Sequence, residues 1–148
     1  MVGTLARSSL AALAICLLGT TVTATDAREA AALRAARAWL ALVDAGNFDA
    51  SWHAGAGYFR RAIGKEQWRE AMEGVRRPLG NVISRKLKGK TFATELPGAP
   101  DGQYVVIQFD TSFKNKRSAI ETVTPMLDAG GDWRVAGYFI KWTDVVTV

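Results

Sequence analysis

The stretch Leu96–Trp142, LPGAPDGQYVVIQFDTSFKNKRSAIETVTPMLDAGGDWRVAGYFIKW, decides the fold. Its clearest run is Gln103–Phe113. Val105, Ile107, Phe109 and Phe113 point one way, and Tyr104, Val106, Gln108, Asp110 and Ser112 the other. That alternation is the period of a strand with one buried face. A basic break, Lys114–Arg117, separates it from a second run, Ser118–Leu127. Asn115 in that break tolerates a left-handed turn. A glycine-rich break, Asp128–Asp132, leads to a third run, Trp133–Trp142, with Gly137 inside it. Upstream, Val82–Leu96 reads as a long first strand with a bulge or bend at Gly89, closed by the turn Pro97–Gly102. Four consecutive strands with short breaks predict an antiparallel meander.

Before the strands the period changes. In Ala27–Ala45, residues Ala32, Leu33, Ala35, Ala36, Trp39, Leu40, Leu42 and Val43 share one half of a helical wheel. Gly46 ends the helix as a left-handed cap. Asn47 or Asp49 caps a shorter segment in which Phe48, Trp52, Phe59 and Ile63 recur at helical spacing. Gly55 and Gly57 break it. Lys65–Arg77 is a third helix with Trp68, Met72, Val75 and Leu79 as its stripe, stopped by Pro78 and Gly80. The expected fold class is therefore α+β, with about three N-terminal helices packed on a four-stranded antiparallel meander sheet.

The start of the chain reads differently. Arg7 precedes the apolar run Leu10–Leu18, and Val22-Thr23-Ala24 offers a small-x-Ala site. This is the pattern of a secretory leader. The expected organisation is a signal peptide over 1–24 and one domain over 25–148, in the periplasm or secreted. Cys16 is the only cysteine, and Ile15 before it fits a lipid-acceptor site badly. Cleavage after Ala24 leaves no thiol, hence no disulfide and no thiolate site. Hydrophobic residues make up 49% of the 148, enough for a single core.

The net charge is +5, and most of the excess lies between Arg60 and Lys90. For an exported chain this is first a solvated basic face. Peripheral contact with an anionic membrane is the functional alternative, and nucleic acid is not expected.

The residues Trp39-Leu-Ala-Leu-Val-Asp-Ala-Gly46 with Ser51-Trp52, Glu66-Gln67-Trp68, Arg77-Pro78-Leu79-Gly80, Pro97–Gly102, Thr111–Lys116, Glu121-Thr122 and Trp133–Ile140 carry a resemblance. In order and in kind they resemble the DUF4019 family, small exported bacterial domains of unassigned function. A looser resemblance, through the turn before Trp133-x-Val135, is to the NTF2-like or cystatin-like α+β fold. That fold implies helices over a curved sheet with a pocket between them. It hosts isomerases, dehydratases and hydrolases as well as binding modules, so it selects no function.

Chemistry is thinly signalled. His53 is the only histidine, with Asp49 one helical turn before it. The plain reading is a surface pair, and no second group completes a general base. Metal spacing and phosphate-loop patterns are lacking, so no metal and no cofactor are expected. A hairpin centred on Asn115 and Lys116 would set Asp110 opposite Glu121. Two facing carboxylates would raise one pKa and supply an acid beside a base. A register one residue different separates them. Trp39, Trp52, Tyr104 and Lys116 are the candidate ligand-binding residues. The expectation is a non-catalytic envelope module binding a small apolar ligand or a protein partner, with no catalytic residue assigned. An acid–base enzyme using Asp110 and Glu121, and a basic module docking on an anionic membrane, are the alternatives. A second copy docking on the open sheet face would make a homodimer.

Overall fold

A computed structural model describes residues 21–142. Residues 1–20 lie outside the described residues, and with them most of the expected leader and Cys16. The chain forms four helices, α1 (Ala24–Asp44), α2 (Phe48–Ala54), α3 (Gly57–Ala62) and α4 (Lys65–Leu79). Four strands follow, β1 (Val82–Ala93), β2 (Tyr104–Phe113), β3 (Lys116–Leu127) and β4 (Trp133–Trp142). The strands form one antiparallel sheet in the order β1-β2-β3-β4. The fold is α+β, with the helices laid against one face of a meander.

Local chemistry sets the element ends. Thr23 and Asp26 make a reciprocal capping box, the Asp26 N–H donating to Thr23 Oγ1 at 3.1 Å. It starts α1 three residues before the helical periodicity does. At the other end Gly46, with φ 73°, donates its N–H to the Val43 carbonyl, and the Asn47 N–H reaches the Leu42 carbonyl. These two bonds make a Schellman motif and satisfy carbonyls that would otherwise be orphaned. The broken second helix is two short helices. Asn47 stands at the N-cap position just before α2 but its side chain makes no capping bond, and Asp49 lies inside the first turn. Gly55 separates α2 from α3. A Cβ there would stand 2.5 Å from Phe59 Cδ1, so the aromatic ring packs where only glycine leaves room.

Helix α1 crosses the sheet and touches all four strands. Ala32, Ala36, Trp39, Leu40 and Val43 from α1 meet Val105, Ile107, Phe109, Val123 and Val135 in one core, joined by Phe48, Phe59, Trp68 and Met72. The tryptophans are tied as well as packed. The Trp39 indole N–H donates to the Ser51 carbonyl at 2.8 Å, and the Trp68 indole N–H to Ser51 Oγ at 3.0 Å. Ser51 is fully buried and so serves two indoles at once. A smaller cluster of Leu79, Phe113 and Ala119 closes the end where α4 meets the β2–β3 hairpin.

That hairpin corrects the expected turn. It turns on Lys114 and Asn115, with Phe113 opposite Lys116. Among the described residues none except glycine has positive φ, so Asn115 is not left-handed. It is an anchor instead. Its backbone N–H donates to the Leu79 carbonyl at 2.9 Å and its side-chain amide to the Pro78 carbonyl at 2.9 Å. The carbonyls left over at the end of α4 thus fix the hairpin.

Candidate functional site

The turn position decides where the two sheet carboxylates go. A two-residue turn one position earlier, plus a bulge between Thr111 and Phe113, pairs Phe109 with Glu121 and Asp110 with Ile120. Asp110 and Glu121 do not face each other, which corrects the expected pair. A shift of one residue moves a side chain to the other face of a sheet. Asp110 is on the outer face, with its carboxylate 3.3 Å from Lys88 Nζ. Glu121 is on the helix-covered face and is 0% exposed.

Glu121 is held in an ion cluster drawn from five elements. Arg85 of β1 donates from Nε to Glu121 Oε1 at 2.8 Å and from Nη2 to Oε2 at 3.2 Å. The Tyr138 hydroxyl of β4 donates to Oε2 at 2.6 Å. Arg85 also forks onto Asp44 of α1, Nη1 to Oδ2 at 2.6 Å and Nη2 to Oδ1 at 2.9 Å. Arg76 of α4 donates to the same Asp44 Oδ1 at 2.8 Å and to the Tyr138 hydroxyl at 3.2 Å. Its guanidinium lies over the Phe113 ring, 4.9 Å from the centroid.

Burial pushes the Asp44 carboxyl up, but the hydrogen bonds from Arg85 and Arg76 outweigh it and hold it below the usual carboxylate range. Burial works against the charge on Arg85, and the bonds to Asp44 and Glu121 reverse that and keep it firmly cationic. Burial, followed by the Glu121 charge, pushes the Tyr138 phenol well up. Two guanidiniums and two carboxylates thus neutralise each other. The cluster braces helices to sheet. Sequence signals for it exist. Arg76 falls in the stripe of Met72 and Leu79, and Arg85 has the parity of Leu87. A cation in a buried stripe calls for a buried carboxylate.

The other candidates are dispersed. His53 is exposed and packs edge-on against the Trp52 ring, 5.1 Å between centroids. Asp49 faces Arg69 of α4 at 3.8 Å. Trp52 donates its indole N–H to the Ile63 carbonyl at 2.8 Å. Tyr104 is buried and donates its hydroxyl to the Pro100 carbonyl, pinning the β1–β2 loop. Lys116 opens β3, at the end of the sheet away from Trp133, whose partner Leu127 closes that strand.

Of the four candidate ligand-binding residues, Trp39 alone lines the apolar groove between α1, α2 and the start of β4. The groove encloses about 530 Å³, within the range of small-molecule sites. Ala35, Ala38, Leu42, Ala54, Trp133 and Val135 form its walls. Small side chains on α1 and α2 leave the space, and Trp133 closes one side. At its mouth Arg134 stands 3.7 Å from Asp132 and 3.9 Å from Asp128.

A family described as "Protein of unknown function (DUF4019)" matches residues 35–138, which is more than half of the chain. The chain belongs to the DUF4019 family. No curated protein matches it, and no solved structure matches it. The matched span of this DUF4019 protein runs from Ala35 to Tyr138. It therefore includes every residue of the ion cluster and the whole lining of the groove. Among the described residues no three metal-ligating side chains come together, and no helix is long and apolar enough to cross a membrane.

The basic segment 60–90 is largely engaged within the protein. Arg69 meets Glu66, Arg77 meets Glu73 at 3.2 Å, and Lys90 meets Glu29. Arg76, Arg85 and Lys88 have the partners given above.

Proposed function

We propose that this protein is a non-catalytic binding module of the cell envelope, and that the groove beside Trp39 and Trp133 takes a small apolar ligand. One observation carries the reading. A concavity of about 530 Å³ is walled by alanine, leucine, valine and tryptophan, while buried acid and base groups are locked to one another elsewhere. Apolar walls with a single polar mouth suit a ligand held by area rather than by charge. The export reading rests on the leader pattern of residues 1–24, and the NTF2-like reading on the strand that begins at Trp133.

The test is a thermal-shift screen of apolar compounds with and without a polar head, paired with tryptophan fluorescence. A binder should raise the melting temperature in proportion to the logarithm of its concentration and change the Trp133 emission. The variant Ala38→Trp fills the groove from an exposed helix position and should abolish both effects while leaving the fold intact. A binder that acts equally on the Ala38→Trp variant would place the site elsewhere and end this reading.

A further inference from the structure

The outer face of the sheet carries a different kind of site. Strand pairing sets Lys86, Asp110, Ile120 and Lys141 in one row across all four strands. The next row towards the hairpin begins with Ser84 opposite Ser112. Between these rows lies a concavity of about 260 Å³ lined by Ser84, Lys86, Asp110, Ser112, Arg117 and Ser118. A second concavity, of about 360 Å³, shares Ser112 and Arg117 with it and adds Ile83 and Lys114. Ile83 is 67% exposed, the more so for a β-branched aliphatic in a strand.

We propose that this hollow binds a phosphate group, with Lys86 and Arg117 as the charged partners and the Ser84 and Ser112 hydroxyls as neutral donors. Lys86 and Arg117 reach it from strands on either side of β2. Like charges gathered around a hollow repel one another, and an anion between them reverses the sign of that energy. A carboxylate offers two oxygens in a plane. Three acceptor oxygens in a tetrahedron meet donors arriving from separate strands better, and a guanidinium takes two of them as a fork. Among the described residues of the lining Asp110 is the one carboxylate, and Lys88 stands against it at 3.3 Å, which offsets its repulsion of an anion. This site is separate from the apolar groove, which opens on the helix side of the sheet.

The phosphate can belong to a soluble phosphoester or to a lipid headgroup, and Ile83 beside Arg117 gives an acyl chain a place to lie. An amide NMR titration with inorganic phosphate, against sodium chloride at equal ionic strength, tests the site itself. Phosphate should shift Ser84, Ser112 and Arg117 at millimolar concentration, and chloride should not. Lys86→Ala and Arg117→Ala should each weaken phosphate by about tenfold, the scale of one charge-assisted hydrogen bond. Lys65→Ala, on α4, should leave it unchanged. A second arm sediments the protein with phosphatidylglycerol vesicles and with phosphatidylcholine vesicles. Sedimentation with phosphatidylglycerol alone, lost in Lys86→Ala and reduced in Ile83→Ser, identifies a lipid headgroup. Phosphate shifts without sedimentation identify a soluble phosphoester. Equal shifts with chloride, or unchanged affinity in both alanine variants, overturn the proposal.

Discussion

Glu121 and Asp110 are the same distance from the hairpin to within a register step, and their environments are opposite. Glu121 is fully buried with Arg85 and Tyr138 on its oxygens, whereas Asp110 is on the outer face beside Lys88. Removing one partner of a buried ion pair strands the other charge in a poorly solvated place. Glu121→Ala should therefore cost about 3–5 kcal/mol in urea denaturation. Asp110→Asn should stay within about 0.5 kcal/mol, as exposed pairs do. Equal effects would mean that the two carboxylates share one environment. At this scale the sequence was partly legible. Strand alternation placed Val105, Ile107, Phe109 and Phe113 on the buried face, and they are buried. It left two registers open for Glu121, one opposite Asp110 and one a residue away, because alternation carries no information about register, and the second is the one found. The anchoring of Asn115 to Pro78 and Leu79 sets the register, and that is a contact between segments far apart in the chain.

At the scale of elements, the ion cluster is what joins α1, α4 and three strands. Asp44 closes α1 and receives Arg76 from α4 and Arg85 from β1. Its folded pKa is depressed below the unfolded value. The stability it contributes is therefore present above the unfolded pKa of about 3.9 and is lost as pH falls through the folded one. Tyr138 has the opposite sense. Its folded pKa is raised above the unfolded value of about 10, so its contribution is present below that pH and is lost as pH rises towards the folded pKa. Tyr138→Phe should leave the acid limb of a stability–pH profile in place and flatten the alkaline limb above about pH 10. A profile in which the variant keeps the full alkaline loss would remove Tyr138 from the cluster's energetics. The elements themselves were legible. Periodicity located α1, α4 and all four strands, and Gly55 announced the break between α2 and α3. The start of α1 at Ala24 rather than Ala27 was missed because the capping box lies outside the apolar repeat.

For the whole molecule, one core spans helices and sheet, so helices and sheet should unfold together. Trp39 and Trp68 lie 5.8 Å apart within that core, and Trp39 packs against Tyr138 of β4 at 5.2 Å. Tryptophan emission and far-ultraviolet dichroism should give the same urea midpoint, and a gap between them would show helices separating from the sheet. The two sheet edges are protected differently. β1 carries Lys86 and Lys88 and a bulge between Leu87 and Gly89. β4 is capped at Val135, whose carbonyl accepts from the Ala56 N–H at 2.8 Å. Both devices discourage another chain from extending the sheet there.

The sequence by itself determined the α+β class, the order of helices before strands and the meander. Each of these follows from local periods and from glycine and proline positions, which act within a few residues. Only the tertiary structure decided which carboxylate is buried, which arginines it binds, and where an unfilled groove lies. Glu121 is separated from Arg85 by 36 residues and Asp44 from Arg85 by 41. Contacts at that range are set by hairpin register and by how α1 lies across the sheet, and no local pattern in the chain records either.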